Sequence, residues 1–251
     1  MPVSTLGRGL TVIEGGLGFG FLAIIIGYLP VFYQAFSRRE LQISLLDARA
    51  GSPSTGGEFL LRAVHDGRII DVESVLRDWE VWCAELLESH ISFPVLAFYR
   101  SQHANQSWLA ALSTMLDGCA LLLAILTTDA SQQTRMTIAM ARHAAVDIAL
   151  IFGMKRSSKT MDRFPPEAQQ MLRNRLRNLG LDFSNEAEKR FAEYRGFYEP
   201  FLITLADFLV FDLPPVILTN ATADNWQRSA WMPRAPGIGD LTAKSDPDHF
   251  T

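Results

Sequence analysis

Cysteine is scarce in this chain, because 251 residues hold only two, Cys83 and Cys119. Both lie in apolar stretches that have helical spacing, and neither shows a C-x-x-C spacing or a histidine partner. This pattern argues against a disulfide scaffold and against a thiolate metal site. It is typical of buried, reduced thiols in a cytosolic domain.

An excess of positive charge is also missing. The chain has 23 Lys and Arg residues against 27 Asp and Glu residues, which gives a net charge of −4. Proteins that bind nucleic acid usually carry a basic footprint, so we expect no nucleic-acid partner here. No Ser-His-Asp or Cys-His constellation can be assembled with any specificity either, and we therefore expect no enzymatic activity.

Charge of either sign is absent from one stretch near the N-terminus. No residue between Glu14 and Arg38 is charged. The uncharged run of about 23 residues would form roughly 34 Å of helix, which is enough to cross the hydrocarbon core of a bilayer. A helix in a soluble core rarely continues this long without a charge, and a signal peptide has a shorter apolar region followed by a small-residue cleavage site. We therefore predict a transmembrane helix over residues 10–37.

The arginines around this run predict its orientation. Arg38, Arg39 and Arg49 follow it, whereas only Arg8 and the amino terminus precede it. Cytoplasmic flanks of membrane spans carry an excess of Lys and Arg. We expect Arg38 and Arg39 to anchor the cytoplasmic end of a single span in the cell inner membrane, with the lipid bilayer as a partner.

Small residues and one proline distinguish the predicted span from an ordinary apolar helix. Gly16 and Gly20 form a small-xxx-small pair, which lets another helix approach closely in lipid. Gly27 and Pro30 follow near the far end. Because proline lacks a backbone donor, we expect a bend at Pro30.

The remainder of the chain has the periodicity of helices. Residues 72–87 place apolar side chains at three- and four-residue spacing. Residues 108–128 are almost wholly apolar around Asp117 and could cross a membrane themselves, but their flanks lack a clear charge stop. We therefore prefer a buried helix at the centre of a bundle for this stretch.

No strand alternation, hairpin signal or internal repeat is visible. We predict an all-α protein with one N-terminal transmembrane helix followed by a cytoplasmic helical bundle. The predicted parts are a leading segment (1–9), the span (10–37), a juxtamembrane helix and linker (38–57), the helical domain (58–218) and a flexible tail (219–251).

Several residues are typical of helix ends. Asp71 is a predicted N-cap, Asp129 is the predicted N-cap or pre-cap of a later helix, and Asn185 with Glu188 is a candidate capping box. Pro200 is expected to kink the last long helix.

Polar residues in the apolar helices offer one candidate chemical site. His143 and Asp147 lie one helical turn apart on an apolar stripe, and Asp117 lies on a neighbouring predicted helix. They could form a proton or metal site inside the bundle. The alternative is a satisfied polar network in which Asp117 pairs with Arg142 or His143. We prefer the network because di-metal bundles use paired Glu-x-x-His motifs, and we expect no metal and no cofactor.

The start of the chain resembles a potassium channel just behind its selectivity filter. In that family, P-x-[ST]-x-x-G-R follows the G-Y-G-D of the filter and leads into the pore-lining inner helix. The matching positions here are Pro2, Ser4 or Thr5, Gly7 and Arg8. Residues 36–53, FSRRELQISLLDARAGSP, are similar to bacterial proteins of the two pore domain potassium channel family, which carry a helical domain behind a single pore.

This resemblance implies a homotetramer in which four inner helices surround a potassium pore and bend near Gly20 or Gly27 and near Pro30. The cytoplasmic domain would assemble or regulate the tetramer, and potassium would be the transported ion. The sequence contains no T-x-G-Y-G, pore helix or outer helix. Since the filter's carbonyls replace the hydration shell of potassium, we interpret the chain as the inner helix and cytoplasmic part of a channel, either truncated or started late at Met1, that cannot conduct alone. The alternative is a single-span, membrane-anchored helical binding protein without a pore.

Overall fold

The computed structural model describes residues 4–101, 106–158 and 161–219, without the side chain of Thr128. Pro2 lies outside these ranges, as does the predicted tail beyond residue 219. By its internal contacts the chain divides between Arg38 and Arg39 into two compact units.

The described residues form eight α-helices and one short hairpin, so the all-α prediction is confirmed: a long apolar N-terminal helix precedes a helical domain. The helices are α1 (Thr5–Ala50), α2 (Gly56–Ala63), α3 (Val72–Ser92), α4 (Trp108–Leu126), α5 (Gln132–Ile151), α6 (Pro166–Asn178), α7 (Asn185–Gly196) and α8 (Glu199–Leu209). The strands are β1 (Val64–His65) and β2 (Arg68–Ile69), and short 3₁₀ turns cover Pro94–Phe98 and Thr127–Asp129.

Helix α4 is the centre of the second unit. It contacts α2, α5, α7 and α8, and every residue from Ala111 to Ala124 is buried. A helix that is apolar on all sides needs neighbours on all sides, and α4 has them. The prediction of a buried central helix for this stretch is confirmed.

The end of α1 belongs to this same core. Arg39–Ala50 lies in the second unit, where Ile43, Leu46 and Ala50 join the apolar cluster around α4. These three residues recur every three or four positions, so they share one helix face. The domain therefore includes the last three turns of α1 as a packed element.

The hairpin corrects the prediction that the chain has none. Val64 pairs with Ile69 and His65 with Arg68, and the connecting residues Asp66 and Gly67 have φ angles of 51° and 74°. Two consecutive positive φ angles define the turn type that Asp-Gly favours in two-residue hairpins. Each strand is only two residues long, so no alternation of apolar and polar residues could reveal it.

Asp129 precedes the cap of α5 and is not the cap itself, and the predicted cap of α7 is wrong by one residue. The cap of α5 is Ser131, whose hydroxyl accepts a hydrogen bond from the Thr134 N–H at 3.3 Å, whereas Asp129 lies in the preceding 3₁₀ turn. The cap of α7 is Ser184 and not Asn185. Serine, aspartate and asparagine serve almost equally well at this position, so residue type alone could not choose between candidates one or two residues apart.

Close packing of α2 on α4 gives a stability prediction. A Cβ atom at Gly56 would lie 2.5 Å from Cβ of Asp117 and 2.7 Å from the Gly118 backbone nitrogen. We expect Gly56→Ala to lower the free energy of unfolding by about 1–3 kcal/mol, because α2 must move away from α4. Urea unfolding followed by tryptophan fluorescence measures this.

The matched control is Gly196→Ala in α7, because a Cβ atom there would meet nothing within 4 Å. Alanine favours helix over glycine, so this variant should be unchanged or up to about 1 kcal/mol more stable. Equal losses in the two variants would contradict the packing of α2 on α4.

Candidate functional site

The residues of the predicted channel motif begin helix α1. The Ser4 hydroxyl accepts a hydrogen bond from the Gly7 N–H at 3.1 Å, and the Thr11 hydroxyl donates to the Gly7 carbonyl at 3.0 Å. Thr5 is the first helical residue, and Arg8 lies in the first turn. Ser4 therefore satisfies a backbone donor that a helix start leaves free.

The three hinge candidates lie on α1 with open space around them. A Cβ atom at Gly20 or Gly27 would meet no heavy atom within 4 Å. Pro30 lies inside the helix without ending it, and it leaves the Ile26 carbonyl without its backbone donor. Any close partner of these glycines must therefore come from outside the described part of the chain.

Helix α1 exposes its large apolar side chains along the uncharged run as far as Val31, whereas Phe32 is buried. Leu17, Phe19 and Phe21 are 70%, 78% and 66% exposed, and none of the most apolar 18-residue window is buried. In α4, the other helix that is long and apolar enough to cross a membrane, 83% of the corresponding window is buried. The first unit thus contains a helix that can span a bilayer and has no core of its own.

Arg39 follows this run, and its side chain lies inside the helical domain. It is 4% exposed, and its two terminal nitrogens donate to the carbonyls of Leu96 at 2.9 Å and Tyr99 at 2.8 Å. Glu40 pairs with it at 2.9 Å, and the Trp82 indole donates to the Arg39 carbonyl at 3.2 Å. Burial lowers the pKa of Arg39, and the charge of Glu40 opposes that shift.

A second buried arginine forms the most polar site in the core. Arg163, in the loop before α6, donates through one nitrogen to the Asp117 carboxylate at 2.5 Å and to the Ser113 hydroxyl at 2.6 Å. Its Nε donates to the Pro214 carbonyl at 2.8 Å, and Glu199 lies at 3.3 Å. The side chain therefore joins α4, the start of α8 and the segment after α8.

Tyr198 completes this buried cluster. Its hydroxyl donates to the second oxygen of Asp117 at 2.7 Å, and it stands at the break between α7 and α8. The prediction of one long helix kinked at Pro200 is wrong, because α7 ends at Gly196 and α8 begins at Glu199, with Pro200 in its first turn. Burial, together with the nearby Asp117 carboxylate, raises the pKa of Tyr198 well above its usual value, so it remains a neutral donor. Burial alone would lower the pKa of Arg163, but Asp117 and Glu199 outweigh it and raise the pKa.

The predicted partners of Asp117 are therefore wrong, although the prediction of a satisfied polar network is right. Asp117 bonds Arg163 and Tyr198, and neither Arg142 nor His143. His143 and Asp147 face one another at 3.5 Å on the outside of α5, with side chains 58% and 36% exposed. Helix α5 buries only its alanine-rich face, since methyl-sized side chains let it pack closely on α3 and α4.

No group of three or more His, Cys, Asp or Glu side chains within the described ranges could hold a metal ion. Both cysteines are buried as free thiols, and burial raises the pKa of each. Both carboxylate oxygens of Asp117 accept hydrogen bonds, one from Arg163 and one from Tyr198, so the residue suits a structural role that links chain segments.

His90 adds a buried titratable group next to the Arg39 site. Its Nδ1 donates to the Leu86 carbonyl at 2.7 Å, its ring lies 5.0 Å from that of Trp108, and Nε2 has no hydrogen-bond partner within the described residues. Burial lowers its pKa from 6.5 to about 4, and the Arg39 charge adds to this shift although the Leu86 carbonyl opposes it. The folded protein thus keeps His90 neutral.

A pH dependence of stability follows from His90. The pKa of His90 is lower in the folded protein than in the unfolded chain. The stability that neutral His90 contributes is therefore complete above about pH 6.5 and is lost as the pH falls toward about 4. At about 1.4 kcal/mol per unit, the loss approaches about 3 kcal/mol. The difference in free energy of unfolding between the wild type and His90→Phe, measured from pH 7 to 4, should move by this amount in favour of the variant. Parallel pH profiles would contradict a buried neutral His90.

A cleft lies at the opposite end of α3 from His90. It encloses about 860 Å³ between the hairpin, the first turn of α3 and the first turn of α5. Arg68 and Arg77 line it together with Asp71, Glu73 and Asp129, so its charges are mixed. The cleft can accept a ligand, although its charges select no single chemical class.

The fold defines a class: an all-α protein with a membrane-length apolar helix and a separate helical domain. No family model, curated protein or solved structure is significantly similar to this chain. The candidate functional site is therefore described from the geometry of this chain alone.

Proposed function

We propose that the chain supplies the pore-lining inner helix and the cytoplasmic helical domain of a potassium-selective channel subunit. The observation that carries this proposal is the uncharged run of α1, whose apolar side chains are exposed on every side of the helix from residue 15 to residue 31. A contiguous apolar surface of this size is rare on a soluble protein. Lipid and copies of the same helix can cover it, with Gly16 and Gly20 allowing close approach.

The order of residues around the run favours a channel over other membrane proteins. Ser4, Gly7 and Arg8 stand at the start of α1 in the positions of the motif that follows a potassium filter. In the proposed tetramer, four copies of α1 surround the pore and bend at Gly20 or Gly27 and at Pro30. The filter carbonyls that select potassium are not encoded in this sequence, so the chain does not conduct by itself.

The helical domain supports a role in assembly or regulation. It packs Arg39–Ala50 into its core and binds the Arg39 guanidinium through the carbonyls of Leu96 and Tyr99. In the proposed channel, the domain lies on the cytoplasmic side of the inner membrane and holds the end of the inner helix. A change of shape in the domain would act on the helix at this point.

Current recordings test the proposal. The chain alone should give no potassium current, whereas a chain with an outer helix, a pore helix and T-x-G-Y-G-D placed ahead of Pro2 should pass potassium over sodium. In that restored channel, Gly27→Ala and Pro30→Ala should change the open probability. Gly18→Ala is the matched control, because Gly18 lies on the same helix with equally open surroundings. A potassium-selective current from the chain alone, or restored subunits without any current, would contradict the proposal.

The second candidate is a single-span, membrane-anchored binding protein without a pore. The cleft of about 860 Å³ in the domain favours it, since such a cleft has the volume of a ligand site. The gene sequence directly ahead of the codon for Met1 separates the candidates. An in-frame T-x-G-Y-G-D there favours the channel, and its absence favours the anchored binding protein.

A further inference from the structure

One end of the helical domain exposes a cluster of aromatic and branched side chains. We name it the aromatic pole, and its members are Val95, Phe98, Tyr99, Phe152, Phe208 and Val210. Phe98 and Phe208 are about half exposed, at 51% and 47%, and Val210 is 74% exposed. Exposed apolar side chains scattered singly are ordinary, but a contiguous group is a sign of an interaction surface.

The rings of the aromatic pole touch one another although they come from three chain segments. Ring centroids are 5.7 Å apart for Phe98 and Phe152, 5.8 Å for Phe98 and Phe208, and 5.4 Å for Phe152 and Phe208. The segments are the 3₁₀ turn after α3, the residues after α5 and the last turn of α8. Arg100, which follows the first segment, is joined to the last one by a hydrogen bond that it donates to the Val210 carbonyl at 2.7 Å.

The position of the aromatic pole follows from Arg39. The Arg39 guanidinium binds the carbonyls of Leu96 and Tyr99, which flank Phe98 in the same turn. Arg39 stands two residues after Ser37, the last residue of the uncharged run, which is about 3 Å along a helix. The aromatic pole therefore lies on the domain beside the residue at which the chain enters it from the uncharged run.

The composition of the aromatic pole suits a position at the membrane–water interface. Aromatic rings concentrate at membrane–water interfaces, and cations near them gain from anionic lipids. Arg100 lies beside the rings, and Lys155 and Arg156 follow Phe152 along the chain. Asp207 and Asp212 flank the other segment, so the local charge is nearly balanced. The apolar rings are therefore the main source of attraction, and the interface should not require anionic lipid.

We propose that the aromatic pole rests on the membrane–water interface next to the span, with the Phe98 and Phe208 rings among the lipid headgroups. The docking of the aromatic pole rests on the proposed function only because it requires α1 to lie in the bilayer. The contact fixes the domain at the membrane surface through two neighbouring attachments, the end of α1 and the pole. It covers apolar surface that the domain itself leaves exposed.

Lipid-borne quenchers test the docking in proteoliposomes of the full chain. Single cysteines that carry an environment-sensitive fluorophore are placed at Phe98 and Val210, with headgroup-level quencher lipids in the bilayer. The native cysteines are buried and should not react in the folded protein. The control is Ser74→Cys, an exposed residue in the first turn of α3, about 27 Å along that helix from Ser92.

We expect quenching at Phe98 and Val210 to exceed that at Ser74 several-fold, in both zwitterionic and anionic vesicles. Because Val210 is outside the core and exposed, its variant keeps the test valid if Phe98→Cys perturbs folding. Equal, low quenching at all three sites would overturn the docking. Protection of the Phe98 label from both lipid quencher and aqueous iodide, relieved by dilution of the protein in lipid, would also overturn it, because a second copy would then cover the pole.

Labels at Phe19 and Phe21, on opposite faces of α1, keep this test separate from the proposed function. If at least one of them is quenched by lipid while Phe98 is not, only the docking fails. If neither is quenched by lipids with quenchers at any depth, the span itself fails, and with it the proposed function.

Discussion

Replacing Arg163 by leucine should lower the free energy of unfolding of the helical domain by about 3–5 kcal/mol, because the variant leaves a buried carboxylate without its cation. Asp117 and Arg163 are 0% and 3% exposed, so water cannot replace the lost donor. The Pro214 carbonyl and the Ser113 hydroxyl would lose a partner as well. Urea unfolding of the full chain in detergent, followed by tryptophan fluorescence, gives the value.

Two further variants separate this ion pair from general damage. Arg135→Leu is the matched control, since the Arg135 side chain is exposed and bonds one carbonyl at 3.1 Å, and it should change stability by less than about 0.5 kcal/mol. Asp117→Leu combined with Arg163→Leu should be less damaging than the sum of the two single changes, because no unpaired charge remains. Strict additivity would show that the two groups do not interact.

Placing an arginine at Ile24 should cost about 3 kcal/mol of membrane insertion, because this residue lies near the middle of the uncharged run. Ile24 is 67% exposed, so the change removes no packing inside the chain. In water the same substitution would be nearly neutral, within about 0.5 kcal/mol. The measurement is the fraction of newly translated chain that enters membrane vesicles and resists alkaline extraction.

The matched control for this prediction is Leu41→Arg. Leu41 is 61% exposed on the same helix but lies beyond the arginines that end the run. Insertion should be unchanged in this variant. An equal loss of insertion at both positions, or none at either, would contradict a lipid environment for the run alone.

The sequence allowed the helices to be predicted where the apolar pattern is long. The periodic run over residues 72–87 lies within α3, and the apolar run from residue 108 is α4. Helices α1 and α4 have apolar windows of similar mean hydropathy. The absence of charged flanks around α4 correctly predicted that this helix is the buried one. The hairpin escaped prediction because two residues per strand carry no periodic signal, and because Asp66-Gly67, the turn pair that marks it, is also typical of the end of a helix.

The buried ion pair could be predicted only in part. Asp117 in an apolar helix requires a partner, since an unpaired buried charge is costly. The chain contains 23 Lys and Arg residues, and nothing local marks Arg163, which stands in a loop 46 residues away. The choice depends on how loops fold over α4, which is tertiary information. The exposure of His143 and Asp147 was missed for the related reason that α5 has two apolar stripes and buries the one formed by small residues.

Sidedness of labelling around the uncharged run tests the central claim most directly. Single cysteines at Gly9 and Leu41 flank the run, and a membrane-impermeant maleimide is added to intact cells or to inverted vesicles that contain the full chain. We predict that Gly9→Cys reacts only from outside the cytoplasmic membrane and Leu41→Cys only from the cytoplasmic side. Reaction of both positions from the same side would show that α1 does not cross the bilayer and would contradict the account.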